Sequence, residues 1–449
     1  MRILIIGAGA TGRTLAATLR EMNHDIVLLD RDPDALAAAD ALVDVMTHIG
    51  EGASPVALEE AGIGKADMAL AVTNRDETNL LACLYAHAAG VATKVARVSN
   101  TDHLSPSRWN WKAQGLDLLV SQNEECAKEL LDILRYPGAA DVLDMFERKI
   151  LAVGVRIAAG SPLADRTLVE AGQSHEILSR SRIVALLRDD RLLIPRGDTR
   201  LLAGDNAYVV LQAADVDTFL DWALRDRPRI RRHIVAGGGG IGLTLALKME
   251  EQGMDVVLIE HDGARAELAA EKLRRGLVLH GDAAKKETLR EAGIGPGTAF
   301  TALTGDDELN IVSCVLAKTS GADWTVTQSG KPEYVPIIRH MKLLDRVISP
   351  YTTMINVILR FVRGRNVRAA TLFHSLPGEL LEVDVGSESK WRRSSLRQVP
   401  LPGGAIVALV QRKGEVHIPA GDFELQAGDR LAVFSELNNA SRVAAVLKK

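Results

Sequence analysis

What this sequence lacks narrows it first. Its 449 residues hold only three cysteines, Cys83, Cys126 and Cys314, far apart and with no Cys-x-x-Cys pair. They offer neither a disulfide framework nor a redox pair, and each sits in an apolar helical context that reads as a buried, inert thiol. The histidines show no His-x-x-x-His or His/Cys spacing, so no metal site is expected. Long hydrophobic runs are missing too. The longest stretch free of Asp, Glu, Lys and Arg, Thr78 to Thr93, includes Asn79, His87 and Gly90 and falls short of the roughly 20 apolar residues a membrane span needs. Nor does one charge dominate: a net charge of −4 and a pI near 6.3 give no reason to expect nucleic acid or an anionic membrane as a ligand. The chain enters directly into a strand-like run, Arg2-Ile3-Leu4-Ile5-Ile6, without the basic, apolar and small-residue succession of a signal peptide. The expected location is therefore the cytoplasm.

What is present is an ordinary globular composition, 47% hydrophobic and 25% charged, and a duplication. A shift of about 230 residues brings Gly7-Ala8-Gly9-Ala10-Thr11-Gly12 onto Gly237-Gly238-Gly239-Gly240-Ile241-Gly242, and Asp30 onto Glu260. After one inserted residue the match resumes, with Gly50-Glu51-Gly52 against Gly281-Asp282-Ala283 and Thr73…Asp76-Glu77…Asn79 against Thr304…Asp307-Glu308…Asn310. Further on, Gly197-Asp198…Ala203-Gly204-Asp205 pairs with Gly421-Asp422…Ala427-Gly428-Asp429. The duplicated unit is a module of two domains.

Short apolar runs alternate with amphipathic stretches through residues 2–98: strands at 2–6, 26–30, 43–47, 67–73 and 94–98, helices at 12–22, 33–40, 55–61 and 77–89. Strands apolar enough to be buried on both faces, interleaved with helices, predict an α/β fold with a doubly wound parallel sheet. The smaller parts read as β-rich, at 150–157, 183–188 and 206–212, and predict compact α+β domains. The expected organisation is two Rossmann-like domains, 1–136 and 230–364, each followed by a small α+β domain, 140–224 and 368–449.

In a Gly-x-Gly-x-x-Gly turn the first glycine permits the bend, the second admits a pyrophosphate and the third lets helix pack on strand. The following helix offers free N–H groups and a partial positive charge. Each copy here follows a strand, opens a helix and precedes an acidic strand end, Asp30 or Glu260, at the same interval. Those carboxylates would accept from ribose hydroxyls and repel a 2′-phosphate, which favours NAD or an adenine nucleotide over NADP, though Arg31 stands beside the first. Thr73-Asn74 and Thr304-Gly305 end the fourth strands on the carboxyl edge, where they serve either a ligand or the cap of the next helix. No tyrosine is followed four residues on by lysine, and the small domains repeat turn chemistry instead of a His/Asp/Lys constellation. A sensor fits this pattern better than a hydride-transferring enzyme.

These phrases, with Leu58-Glu59-Glu60-Ala61-Gly62-Ile63, Ala71 to Asn79 and Val95-Ala96-Arg97-Val98, resemble the TrkA family, regulatory subunits of bacterial Trk potassium uptake systems built from two RCK modules. The resemblance covers nearly the whole chain and identifies the small domains as RCK-C domains. It implies a non-catalytic protein, peripheral to the membrane beneath a TrkH/TrkG-type subunit, assembled as a homo-oligomeric ring, commonly a tetramer, and binding NAD(H) or ATP/ADP. It places phosphate contacts on Gly7, Ala8, Gly9, Ala10 and Thr11 and on Gly237, Gly238, Gly239, Gly240 and Ile241, with Gly12 and Gly242 closing the two turns. Ribose contacts fall on Asp30 and Glu260, and further contacts on Thr73, Asn74 and Arg97, with Thr304 in the second copy. The family's Gly-Asp after the third strand survives as Gly281-Asp282, whereas the first copy offers Glu51. Gln328 stands where Arg97 does, and Pro332 and Pro336 interrupt the segment after it. A weaker second site is expected.

Helices at 123–135 and 351–363 carry apolar residues at helical spacing. They either pack within the chain or, as the family implies, cross over to build a dimer contact. Five arginines within Arg225–Arg232 read as a solvated linker, with acidic surfaces, lipid headgroups or nucleic acid as alternative contacts.

Overall fold

The computed structural model describes residues 1–105, 109–189, 191–331, 334, 337–338, 344–363, 369–373, 376, 378–436 and 439–448. Pro332 and Pro336 lie outside them. The chain divides into two compact units, Met1–Leu131 with Ile230–Ile358, and Asp132–Arg229 with Leu359–Lys449. Like pairs with like: one unit holds both glycine-turn folds, the other both small domains.

In the first unit the order is β1 (Arg2–Ile6), α1 (Ala10–Glu21), β2 (Asp25–Asp30), α2 (Pro33–Asp40), β3 (Met46–Ile49), α3 (Pro55–Glu60), β4 (Met68–Ala71), α4 (Asp76–Ala88), β5 (Thr93–Val98), β6 (Leu118–Ser121) and α5 (Gln122–Arg135), whose end passes into the other unit. The strands form one sheet in the order β3-β2-β1-β4-β5-β6, all parallel. Ile3, Leu4, Ile5 and Ile6 are all buried, as the unalternating apolar run requires when helices cover both faces. Each such side chain contributes about 1.5–3 kcal/mol on leaving water. Local signals start the helices. Asp32 caps α2 ahead of Pro33, and the Ser54 hydroxyl accepts from Ala57 at the start of α3.

Two elements differ from the sequence reading. The third strand lies at Met46–Ile49, because Leu42 and Val43 still bond back to Ala39 and extend the end of α2. A sixth strand, β6, closes the sheet beside β5.

The second copy repeats the pattern with β12 (Arg232–Ala236), α8 (Gly240–Glu251), β13 (Asp255–Glu260), α9 (Gly263–Lys272), β14 (Leu277–His280), α10 (Lys286–Glu291), β15 (Thr298–Ala302), α11 (Asp307–Thr319), β16 (Trp324–Gln328), β17 (Arg346–Ile348) and α12 (Pro350–Arg363), in the sheet order β14-β13-β12-β15-β16-β17. The residues between the copies, Asp132–Arg229, belong to the other unit.

That unit contains two antiparallel five-stranded sheets. The first comprises β7 (Asp141–Met145), β8 (Ile150–Arg156), β9 (Ser181–Arg188), β10 (Arg191–Leu193) and β11 (Asn206–Gln212), with α6 (Leu168–Ser174) and α7 (Val216–Ala223). The second comprises β18 (Ala369–Leu372), β19 (Gly378–Asp384), β20 (Ala405–Arg412), β21 (Glu415–His417) and β22 (Arg430–Glu436), with α13 (Ala440–Lys448). They share a core in which the Tyr208 and Phe373 rings meet edge to face at 5.0 Å. The repeated Gly-Asp turns are structural. Asp205 accepts from Arg188 at 2.7 Å and Asp429 from Arg412 at 2.8 Å, each carboxylate gripped by a two-pronged guanidinium. Burial alone would raise the Asp205 pKa, but the Arg188 and Leu202 hydrogen bonds bring it below the usual carboxylate value.

Candidate functional site

The carboxyl ends of β1 and β4 diverge at the point where the strand order reverses, and the crevice they leave is where open α/β sheets bind ligands. In the first copy it is a cavity of about 440 Å3. Its wall brings together Gly7, Gly9, Ala10, Thr11, Asp30, Glu51, Thr73, Asn74 and Arg97, drawn from the ends of β1, β2, β4 and β5 and the loop after β3. Ala8 and Gly12 are buried behind that wall.

The turn's shape follows from what a side chain would meet. Gly7 has φ +109°, and a Cβ on it would lie 3.0 Å from the Thr73 nitrogen. A Cβ on Gly12 would overlap the Gly7 carbonyl oxygen, whereas one on Gly9 would meet nothing within 4 Å. The first and third glycines therefore serve packing, and the second leaves the backbone open to the crevice. The second copy repeats all three relations: Gly237 has φ +104° and faces Leu303, Gly242 abuts the Gly237 carbonyl, and Gly239 is open.

Both acidic residues first organise the turn. The Asp30 carboxylate accepts the Ala8 N–H at 2.6 Å and the Asp32 N–H at 3.0 Å. Glu260 accepts the Gly238 N–H at 2.6 Å and the Asp262 N–H at 2.9 Å, and lies 2.9 Å from the His261 Nδ1. An ionised carboxylate has room for further donors. The side chain at the turn's second residue is set by the length of its acid. Asp30 faces Ala8, whereas a Cβ on Gly238 would sit 3.0 Å from the Glu260 Oε2.

Thr73 is committed to its own loop. Its N–H and hydroxyl both donate to the Asn79 Oδ1, and the Asn79 amide donates to the carbonyls of Thr73 and Arg97. Thr304 and Asn310 repeat the latch. Asn74 is exposed at the rim, and Glu51 lies 3.6 Å from Arg31. In the second copy Asp282 turns back to accept the Ala284 N–H, and the Gln328 amide donates to the Thr304 carbonyl. The position held by Arg97 in one copy is thus folded inward in the other, and Ile241 supplies no hydroxyl where Thr11 has one.

Three residues that line the first cavity each carry a buried polar atom without a hydrogen-bond partner: the Thr11 Oγ1, the Arg97 Nε and the Gln122 Oε1. Buried polar groups left unpaired are costly, so these three side chains keep unused hydrogen-bonding capacity beside the cavity. Burial lowers the Arg97 pKa, against which Tyr351 and Asp76 act to raise it, leaving a partly desolvated guanidinium in want of an anion. Sequence reasoning missed Gln122 and Tyr351. Gln122 opens a helix that carries only an apolar signal, and Tyr351 comes from the second copy, with no local pattern to announce it.

All three cysteines are free and buried, and burial pushes Cys83 and Cys314 up to about 12 and raises Cys126 as well. Among the described residues no His, Cys, Asp or Glu cluster is arranged to hold a metal, and no helix is long and apolar enough to cross a membrane. The arginine run is largely spoken for inside the chain: Arg227 pairs with Asp217 and Asp221, Arg229 with Asp221 and Arg232 with Asp255.

Fold and cavity together define a duplicated nucleotide-fold protein with the architecture of a tandem RCK chain. Residues 3–122 and 233–350 match the TrkA-N domain, and residues 152–224 and 380–448 the TrkA-C domain. The chain is 31% identical to the Trk system potassium uptake protein TrkA of Azorhizobium caulinodans, over 99% of this chain and 98% of that one. It is 33% identical to the protein of the same name from Halomonas elongata, over 97% and 95%. The chain belongs to the TrkA family. Its fold is also that of the GsuK channel bound to NAD, with a TM-score of 0.63 at 18% identity over 99% of this chain and 78% of that one.

Proposed function

We propose that this chain is a cytoplasmic regulatory subunit of potassium uptake, without an enzymatic activity of its own, that binds an adenine nucleotide in its first Rossmann-like domain. NAD(H) is the favoured ligand and ATP/ADP the alternative. Its partner is a membrane subunit of the TrkH/TrkG type, and it works as a homo-oligomeric ring at the cytoplasmic face of the membrane.

The observation that carries the reading is the convergence of Thr11, Arg97 and Gln122, each with an unpaired buried polar atom, on the cavity walled by the first glycine turn and Asp30. In this reading the turn's N–H groups and the α1 dipole take the phosphates, Asp30 takes a ribose, and Thr73, Asn74 and Glu51 line the path between. The Gly237–Gly242 turn with Glu260, Asp282 and Thr304 forms a second, weaker site, since Gln328 and Ile241 supply neither the cation nor the hydroxyl. Family membership supports the potassium assignment, and the NAD in the GsuK structure supports the ligand class. Nucleotide acts by binding one arrangement of the ring more tightly than another, because only differential affinity moves such an equilibrium.

The test is potassium-limited growth of uptake-deficient bacteria that express the membrane subunit with either the wild-type chain or Asp30→Asn. The wild type should restore nucleotide-dependent uptake, and the variant should restore growth without that dependence or fail to restore it. Full nucleotide-dependent regulation in Asp30→Asn would contradict the first-site assignment.

A further inference from the structure

The first cavity is not closed by its own copy of the fold. Tyr351, the second residue of α12, lines it together with Thr11 and Arg97. The duplication places Asn123 at the corresponding position, in Ser121-Gln122-Asn123 after β6 against Ser349-Pro350-Tyr351 after β17. The two residues also keep corresponding neighbours at home. The Asn123 amide donates to the Ser99 carbonyl at 3.4 Å, and the Tyr351 ring stands beside Gly330, the counterpart of Ser99.

Asn123 reaches across to the other copy's glycine turn, and Tyr351 lines the other copy's cavity. Asn123 packs on Gly240, where a Cβ would overlap its amide. Tyr351 shares a wall with Ala10, the counterpart of Gly240. Lys248 with Glu124 at 2.8 Å, and the Thr353 hydroxyl with Glu129 at 2.6 Å, hold this crossing in place. One turn is thus met by a short amide, and the cavity of the other is lined by a phenol. Asp30 ends β2 and Arg97 is the last but one residue of β5, three strand spacings away in the sheet. At ~4.8 Å per spacing that is about 14 Å, the reach of an extended nucleotide from its first ribose to its far end.

We infer that Tyr351 is a ligand-binding residue of the first cavity supplied by the second copy. Tyr351 lines the cavity with Arg97 and Thr11, and its hydroxyl holds the distal polar group of the nucleotide whose ribose lies at Asp30. Filling the first cavity then ties down α12. The inference rests on the nucleotide reading above and adds to it a contact between the copies. The distal group is a ribose hydroxyl in a dinucleotide and a phosphate oxygen in a nucleoside triphosphate, and both accept from a phenol.

The experiment is calorimetric titration of the full-length wild type, Tyr351→Phe and Asp30→Asn with NADH and, separately, with ATP, alongside hydrogen exchange over 350–358. Tyr351→Phe keeps the ring and its packing, so its ligand-free melting should match the wild type. It should bind one of the two ligands about 5- to 10-fold more weakly, as the loss of one hydrogen bond implies, and the ligand affected identifies the distal group. Nucleotide should slow exchange over 350–358 in the wild type and not in Tyr351→Phe. Undiminished binding of both ligands by Tyr351→Phe, with binding lost in Asp30→Asn, would overturn this inference and leave the nucleotide reading intact. Failure of the wild type to bind either ligand would overturn both.

Discussion

At the scale of single residues, the two glycine turns solve one packing problem with different pairs. Asp30 leaves room for the Ala8 methyl, whereas the longer Glu260 needs Gly238. Gly238→Ala should therefore destabilise the second copy by about 1–3 kcal/mol, the usual cost of overpacking. Glu260→Asp in the same chain should restore most of the loss, a coupling read from thermal midpoints of the two single variants and the double. Additive midpoint losses would show that the fit between the two positions is immaterial. Arg97 offers a second prediction. Arg97→Gln, which imitates Gln328, should leave the ligand-free melting point unchanged or slightly higher, because an unpaired buried Nε is removed, while nucleotide binding weakens by tenfold or more. The glycines and acids were legible in the sequence because their spacing is fixed by backbone geometry. The exchange of Ala8 with Asp30 for Gly238 with Glu260 was not, since a run of four glycines reads as general permissiveness until the carboxylate is seen against it.

At the scale of elements, strands buried on both faces announced themselves and edge strands did not. The β1 run Ile3-Leu4-Ile5-Ile6 is unbroken, so its place at the sheet's centre followed from composition. The β3 segment Met46–Ile49 is mostly exposed and carries little apolar signal. For α5 and α12 the apolar spacing foretold a buried face and left its partner open, because periodicity records burial and not what does the burying. In the structure α5 meets the opposite copy's glycine turn through Asn123, and α12 lines the opposite copy's cavity through Tyr351. One strand carries a pH-sensitive position. On β12 His233 stands where β1 has Ile3, and burial pushes it down to about 4, partly opposed by Asp255. A histidine ordinarily titrates near 6.5, so folding disfavours its charged form. The neutral ring costs nothing above about pH 6.5, and stability falls as the pH drops from there toward 4. The full loss is on the order of 3 kcal/mol. His233→Ile should flatten the melting profile between pH 6.5 and 4, and an unchanged slope would place the acid sensitivity elsewhere.

At the scale of the whole molecule, the duplication was visible as sequence, but the pairing of like with like was not. The chain runs large, small, large, small, yet the two Rossmann-like domains form one compact unit and the small domains another. Proximity along the chain gives no hint of that, because it arises from side chains such as Tyr208 and Phe373 that meet across more than a hundred residues. In the proposed reading the two copies carry homologous and unequal sites: one crevice is a cavity lined by a partly desolvated arginine, whereas in the other the glutamine at that position donates its amide to Thr304. The most direct test of that inequality is calorimetric titration of the full-length chain with NADH in three forms, wild type, Asp30→Asn and Glu260→Gln. The tighter binding phase should vanish in Asp30→Asn and persist in Glu260→Gln. Tight binding that survives Asp30→Asn, or that is lost only in Glu260→Gln, would contradict the account.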